Sequence, residues 1–327
     1  MKIFIIGSNS FMGISLLSYL INDLKDKNFK IYACSRSQIS NSFQINNIKN
    51  NYKFYRIDLN KNIKELTILL KKIKPNIIFN FAAQSIVEYS WRQPLHWFNT
   101  NLISNIKFLE YLKNADYLDK YFHSSTPEVY GSTKKKITEE FIYSPSTPYA
   151  TSKASVDMLL KNYFDNYKFP VIFTRASNIY GPGQRLYKII PKTIICIKKN
   201  KKLPLHGGGL SKRSFIYSDD VSRAFTLLIN KGVTGQIYHI TNENIYKIKD
   251  VVRLVCLILG RDFKKSILIT KDRPGKDFSY DMSASKLKKI GWKPKTDINK
   301  GLISTINWVN QNYKNFKKFK LEYQHKP

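Results

Sequence analysis

The chain has few cysteines, no long apolar run and a shortage of acid. Its three cysteines, Cys34, Cys196 and Cys256, lie far apart, with no CxxC pair or Cys/His cluster around them. That spacing supports neither a disulfide framework nor a zinc site, so a reducing, cytoplasmic compartment is the default expectation. No apolar stretch approaches the roughly 20 residues needed to span a bilayer. The apolar opening, Ile3-Phe4-Ile5-Ile6, stops at Gly7-Ser8-Asn9-Ser10, too soon for the core of a secretory leader. No internal repeat or low-complexity linker interrupts the sequence.

The shortage of acid is the larger signal. Asp and Glu number 23 against 55 Lys and Arg, a formal net charge of +32. Such a balance invites a nucleic-acid partner. The lysines are nevertheless scattered along the whole chain, with short clusters at 134–136, 198–202 and 314–320. Ile and Asn are also abundant, and the blend reads as a compositional bias in which solvated positions have drifted to Lys. Basicity speaks to non-specific binding and not to fold, so neither a nucleic-acid nor a membrane partner is expected. What remains is 43% hydrophobic and 14% aromatic over 327 residues. This is ample for a packed interior and excludes intrinsic disorder. At that length two domains or one large α/β unit is expected.

The apolar pattern favours α/β. Residues 3–6 form a continuous apolar run, as in a strand buried on both faces. Residues 11–24 then carry apolar side chains at helical spacing. Strand-like segments follow at 29–34, 52–57, 77–81 and 121–124, with helical ones at 61–73 and 99–112. Strands alternating with helices indicate βαβ units, right-handed crossovers and a doubly wound parallel sheet. Beyond Asn178 the texture changes, with Gly181-Pro182-Gly183, Gly207-Gly208-Gly209 and shorter helices at 218–230 and 247–259. The expected division is a nucleotide-binding Rossmann domain over 1–177 and a smaller α/β substrate domain over 178–327. Segments of the second are free to return to the sheet of the first. Open sheets of this kind take ligands at the carboxyl edge.

Gly7-Ser8-Asn9-Ser10-Phe11-Met12-Gly13 joins the first strand to the first helix. A glycine-rich turn there lets backbone approach a pyrophosphate at a helix N-terminus. Ser10 occupies what is usually the middle glycine, and an ordinary strand-to-helix turn is the alternative. The second strand ends in Ala33-Cys34-Ser35-Arg36-Ser37, without the acid that accepts from a ribose 2′-OH. A hydroxyl and a guanidinium suit a 2′-phosphate instead, so NADP is preferred, with NAD as the alternative.

Tyr149-Ala150-Thr151-Ser152-Lys153 places Tyr and Lys at i and i+4, one turn apart on one helix face. An ammonium beside a phenol is expected to lower its pKa toward neutrality, so that Tyr149 can take a proton from a sugar hydroxyl. Pro145 and Pro148 set up the helix start.

With these residues in view, the chain resembles the extended short-chain dehydrogenase/reductases that act on nucleotide sugars. The segments Ser124-Ser125-Thr126-Pro127-Glu128-Val129-Tyr130-Gly131, Tyr149 to Lys153 and Arg175-Ala176-Ser177-Asn178-Ile179-Tyr180-Gly181-Pro182 carry the likeness. So do Arg213-Ser214-Phe215-Ile216-Tyr217-Ser218-Asp219-Asp220 and Asp272-Arg273-Pro274-Gly275-Lys276-Asp277. Within the group, Asp272 to Asp277 and Gly291-Trp292-Lys293-Pro294 lean toward the dTDP-glucose 4,6-dehydratases. Ala82-Ala83-Gln84-Ser85 and Ser35-Arg36 lean toward the GDP-mannose type.

The resemblance implies a cycle in which hydride leaves sugar C4, water is lost across C5 and C6, and hydride returns to C6. It assigns Tyr149 as the C4 base, Lys153 as its partner, Thr126 as the group polarising the hydroxyl and Glu128 as the C5 base. For the cofactor it implies Gly7, Asn9, Ser10, Phe11, Met12, Gly13, Ser35, Arg36, Asp58, Leu59, Ala82, Ala83, Gln84 and Asn101, besides Tyr149 and Lys153. Gln84, Asp58 and Asn101 have a second reading, as residues satisfying loop backbone. For the nucleotide sugar it implies Ser85, Ser125, Asn178, Arg213, Arg273 and Lys276, with Lys276 in place of a more usual His. It also implies a homodimer through the helices near 99–112 and 149–164, with a tetramer as the alternative.

One departure stands out. Pro127 falls where the dTDP-glucose enzymes carry Asp and the GDP-mannose enzymes Ser. Losing a general acid costs about 10²–10⁴ in rate. An epimerase, a C4 dehydrogenase or a decarboxylase on the same scaffold is therefore the alternative. A third reading, an idle enzyme that binds RNA through its positive surface, is opposed by the intact Tyr149/Lys153 pair.

Overall fold

A strand with apolar side chains on both faces belongs in the middle of a covered sheet, and β1 (Lys2–Ile6) sits there. Ile3 and Ile5 enter the core on one face, Phe4 and Ile6 the core on the other. The computed structural model describes residues 1–23, 29–37, 52–133, 135–272 and 279–325. From β1 the chain continues through α1 (Phe11–Asn22), β2 (Lys30–Ser35), β3 (Lys53–Arg56), α2 (Ile63–Ile73) and β4 (Ile77–Asn80). Then come α3 (Val87–Arg92), α4 (Pro94–Phe98), a wide π-type turn (Asn99–Ile103), α5 (Ser104–Leu112) and β5 (Lys120–Ser124). A short 3₁₀ turn (Pro127–Tyr130) leads to α6 (Pro148–Tyr167) and β6 (Val171–Ala176).

The later chain adds β7 (Asn178–Tyr180), α7 (Ile189–Lys198), β8 (Leu203–His206), β9 (Lys212–Tyr217) and α8 (Ser218–Lys231). It continues with β10 (Ile237–Ile240), β11 (Ile245–Lys247), α9 (Ile248–Ile258), α10 (Phe263–Ser266) and β12 (Ile267–Thr270). It closes with α11 (Ser285–Lys289) and α12 (Ile298–Phe316).

Seven parallel strands form the main sheet in the order β10-β6-β5-β4-β1-β2-β3. The winding reverses between β1 and β4, which opens a crevice at their carboxyl ends. Leu16, Leu17 and Leu20 of α1 pack with Val221, Phe225 and Leu228 of α8 on one face. Leu66 of α2, Phe108 of α5 and Leu160 of α6 cover the other. A separate core gathers Ile190 and Ile194 of α7, Val251 and Val255 of α9, and Leu302 and Val309 of α12. Against it lie the small sheets β11-β9-β7 and β12-β8.

The sequence boundaries shift by a residue or two. The first helix ends at Asn22 with Asp23 as its cap, and Leu24 lies outside the described residues. The helix expected over 99–112 begins with the wide turn before α5. The division at 178 is crossed by one strand, since β10 pairs with β6 in the main sheet. All three thiols are buried and unpaired. Among the described residues no metal-binding cluster is found, and no helix is long and apolar enough to cross a membrane.

Candidate active site

The turn after β1 is built for tight packing as much as for a ligand. Gly7 has φ +76°, and a Cβ there would meet the Ala82 backbone nitrogen at 2.6 Å. A Cβ on Gly13 would meet the Gly7 carbonyl at 2.6 Å. Ser10 is no defect in the motif. Its hydroxyl accepts from the Gly13 amide at 3.0 Å and caps α1. Asn9 is buried, yet both polar atoms of its side-chain amide lack a protein partner. A buried amide without partners is costly, and here it lies beside the N-terminus of a twelve-residue helix. The pair fits an anionic ligand such as a pyrophosphate. Arg185 fastens the turn by donating to the Asn9 carbonyl at 2.6 Å.

Other expected cofactor residues divide between the crevice and the core. Ser35 accepts from the Asn9 amide at 3.4 Å, which brings the ends of β1 and β2 together. Met12 and Leu59 bury their side chains in the two sheet cores, so only their backbone is left for a ligand, while Phe11 stays half-buried. Asp58 accepts from the Asn60 amide at 2.9 Å and shapes its own turn. Asn101 accepts from the Gln84 amide at 2.8 Å and donates to the Gln84 carbonyl at 3.0 Å and to Ser152 Oγ at 2.9 Å. Asp58 and Asn101 thus serve loop backbone, the second of the two readings. Asn101 also ties the loop after β4 to the helix face between Tyr149 and Lys153. Ala83 and Ser85 in that loop are exposed.

The catalytic candidates meet where β5 ends and α6 begins. Thr147 caps α6 by accepting from the Ala150 amide at 3.1 Å, with Pro148 in the first turn. Thr126 accepts from the Glu128 amide at 3.3 Å and hydrogen-bonds the Tyr149 phenol, with Glu128 close enough to act on that phenol electrostatically. Tyr149 and Lys153 are 8% and 4% exposed. Their ionisation overturns one expectation. Burial, then the Glu128 charge, hold the Tyr149 phenol well above its ordinary value, against the lowering by Thr126. Burial brings Lys153 down to about 8, against the pull of Asp157. The phenol therefore stays above its ordinary value despite the ammonium one turn away, because desolvation penalises its charged form.

Behind it lies a charge network that the sequence reading did not single out. Asp157 sits one turn beyond Lys153 on α6 and is fully buried. It accepts from Arg175 at 2.7 Å and from Ser125 Oγ at 2.7 Å. Burial pushes its carboxyl up, but Arg175, His123 and Ser125 outweigh that and hold it at about 2. His123 Nε2 stands 3.2 Å from the same carboxylate, although neither atom makes an aligned hydrogen bond. Burial brings His123 down to about 4, so its ring is neutral at pH 7 and the contact is not an ion pair. Arg175 also stacks on Tyr130 at 4.4 Å, whose hydroxyl meets His239 Nε2 at 2.7 Å. The i+8 spacing from Tyr149 was the available clue to Asp157. Ser125, expected at the substrate, spends its hydroxyl donor on this network.

Among the remaining substrate candidates, Asn178 is exposed on β7 and Arg213 stacks on Tyr280 at 4.6 Å. Arg273 and Lys276 lie outside the described residues.

This arrangement can move a proton at Tyr149 and a second one at Glu128, beside a crevice that fits a dinucleotide. The family model described as GDP-mannose 4,6 dehydratase matches residues 4–305. The chain belongs to that family. It is 32% identical over 330 residues to the dTDP-D-glucose 4,6-dehydratase of Mus musculus, covering 97% of this chain and 90% of the relative. The Escherichia coli dTDP-glucose 4,6-dehydratase is 31% identical over 344 residues, 95% of this chain and 94% of the relative. Among solved structures, dTDP-glucose 4,6-dehydratase of Bacillus anthracis in complex with NAD superimposes with a TM-score of 0.88. Its sequence identity is 32%, with 98% of this chain and 100% of that chain covered. The seven-stranded parallel sheet with its flanking helices is thus the family's own.

Proposed function

We propose that this chain is an NAD(P)-dependent nucleotide-sugar 4,6-dehydratase, a lyase that makes a 4-keto-6-deoxy sugar. The observation that carries it is the meeting of Thr126, Glu128 and Tyr149 at the carboxyl end of β5 in a member of this family. When bound, the dinucleotide supplies a hydride acceptor that can later give the hydride back, and in its oxidised form a positive ring charge. Gly7, Asn9, Ser10 and Gly13 would hold its phosphates, with Ser35 and Arg36 at the adenosine ribose.

Tyr149 takes the proton from the C4 hydroxyl, and Lys153, charged below about pH 8, stabilises the resulting phenolate. Thr126, hydrogen-bonded to that phenol, orients the hydroxyl that ionises. Once C4 is a ketone the C5 proton is acidic, and Glu128 takes it as the C6 hydroxyl departs. Pro127 offers that hydroxyl no proton, so Glu128 must pass on the one it has gained or a water must serve. Asn178, Arg213, Arg273 and Lys276 are the proposed contacts to the nucleotide diphosphate.

The preference for NADP rests on Ser35 and Arg36 alone, and the solved relative, which holds NAD, does not support it. Identifying the dinucleotide released by denaturing the purified protein decides between them. A homodimer through α5 and α6 suits Ile103, in the turn leading into α5, and Met158 on α6, 40% and 46% exposed. Light scattering in solution tests it. The three buried thiols suit a reducing cytoplasm.

Incubation with dTDP-glucose, GDP-mannose, CDP-glucose and UDP-GlcNAc should give a new C6 methyl signal by NMR with one of them. No such signal across the panel, with inversion at C4 or accumulation of reduced dinucleotide instead, would overturn dehydration. Pro127 is the one residue that favours that second reading.

A further inference from the structure

The segment after α12 folds back over the sheet edge. Leu321 packs on the core of α7, α9 and α12. Tyr323 then sets its ring edge-on to Tyr89 and Tyr187, with centroids 5.0 and 5.3 Å away. Its hydroxyl donates to Gln84 Oε1 at 3.3 Å, and its carbonyl accepts from the Tyr89 hydroxyl at 3.4 Å. His325 stacks on Trp97 at 5.1 Å, and its Nε2 meets His96 Nδ1 at 2.8 Å. Trp97 has no exposed surface. Arg36 acts electrostatically on both Tyr323 and His325.

The sheet order shows where this lies. Gln84 follows β4, Arg36 follows β2, and β1 runs between those two strands. Tyr187 is two residues beyond Arg185, which grips the Asn9 carbonyl. A segment that touches Gln84 and Tyr187, and lies within electrostatic range of Arg36, flanks the turn from Gly7 to Gly13 on both sides. That turn faces the crevice where the winding reverses, the place such sheets use for ligands. Both occupants are flat rings with polar edges, the phenol edge-on to its aromatic neighbours and the imidazole stacked on Trp97.

We infer that residues 322–325 are an intramolecular occupant of the dinucleotide crevice and must leave before the dinucleotide can seat. The inference rests on the proposed cofactor site. Tethering keeps the occupant at high effective concentration, and the affinity seen for a competitor is reduced by the fraction of open molecules. A segment in place nine times in ten weakens apparent dinucleotide affinity about tenfold.

Titration calorimetry with NAD and NADP on the full chain and on a chain lacking residues 322–327 tests this. The shortened chain should bind about tenfold more tightly, with an unchanged far-ultraviolet circular dichroism spectrum. Tyr323→Ala should recover most of that gain. A synthetic peptide of residues 321–327 should compete with the dinucleotide for the shortened chain. Equal or weaker binding by the shortened chain overturns the inference and leaves the cofactor site standing. If neither chain binds either dinucleotide, the cofactor site falls as well, so the two failures are distinguishable.

Discussion

Tyr149 and Asp157 stand on the same face of α6, two turns apart and both buried, yet their surroundings treat charge in opposite ways. Asp157 is met by a guanidinium and a hydroxyl, and its ionised form is favoured over the unburied state. Tyr149 has a hydroxyl and a nearby carboxylate, and its ionised form is opposed. Lys153 lies between them, brought down to about 8 by the same desolvation. Compensation that is complete within the protein belongs to scaffolding. Compensation that is missing belongs to a place where a ligand brings the charge.

That contrast predicts a separation of effects. Tyr149→Phe should lower kcat by about 10³–10⁴ and leave urea unfolding unchanged, as checked by keto-sugar formation and denaturation side by side. If the variant unfolds early while turning over normally, the contrast is broken. Asp157→Asn should do the reverse, costing about 3–5 kcal/mol of stability by leaving Arg175 buried without its counter-charge. Urea midpoints that match the parent chain would show that Asp157 is not scaffolding.

Pro127→Asp asks whether the catalytic set lacks an acid. Restoring a donor beside C6 should raise kcat by about 10–100-fold, although Pro127 is buried and a carboxyl there also meets a desolvation cost. An unchanged kcat would mean that Glu128 or a water already does the work.

The smallest effect is on pH. Burial first of all holds His123 and His239 at about 4 and about 3, below the ordinary 6.5. Each is neutral in the folded chain, so the unfolded chain takes up more protons as pH falls below 6.5. Stability present above that pH is lost on the way down to the folded values, on the order of 1–2 kcal/mol per ring between pH 7 and 5. His239→Gln should flatten that slope in urea titrations; a slope equal to the parent's would remove His239 from the scaffold network.

Much of the sheet was legible because it is written in short-range pattern. The run Ile3-Phe4-Ile5-Ile6 and the Pro148-Tyr149 helix start announce themselves locally. The proposed catalytic set is local for the same reason, since Tyr149 and Lys153 share a turn and Thr126 and Glu128 share a loop. The interior network is not. Asp157 reads as one more helix acid until the fold brings Arg175 and His123 from two strands to it. Burial is likewise invisible in the sequence, so the direction of the Tyr149 shift was misjudged. Tyr323 and His325 sit in an unpatterned stretch, and only the fold-back gives them neighbours.

The pairing of β10 with β6 also has a consequence for how the molecule is made. A ribosome delivers β6 before β10, with about 60 residues between them, roughly 3–12 s of synthesis. Until β10 arrives, β6 is the open edge of a parallel sheet, with five of its six residues destined for burial. Unpaired apolar edges recruit other chains. Residues 1–177 expressed alone would keep that edge permanently, however complete their nucleotide-binding motifs. The stretch proposed to bind the dinucleotide and the stretch that completes the sheet are therefore not the same.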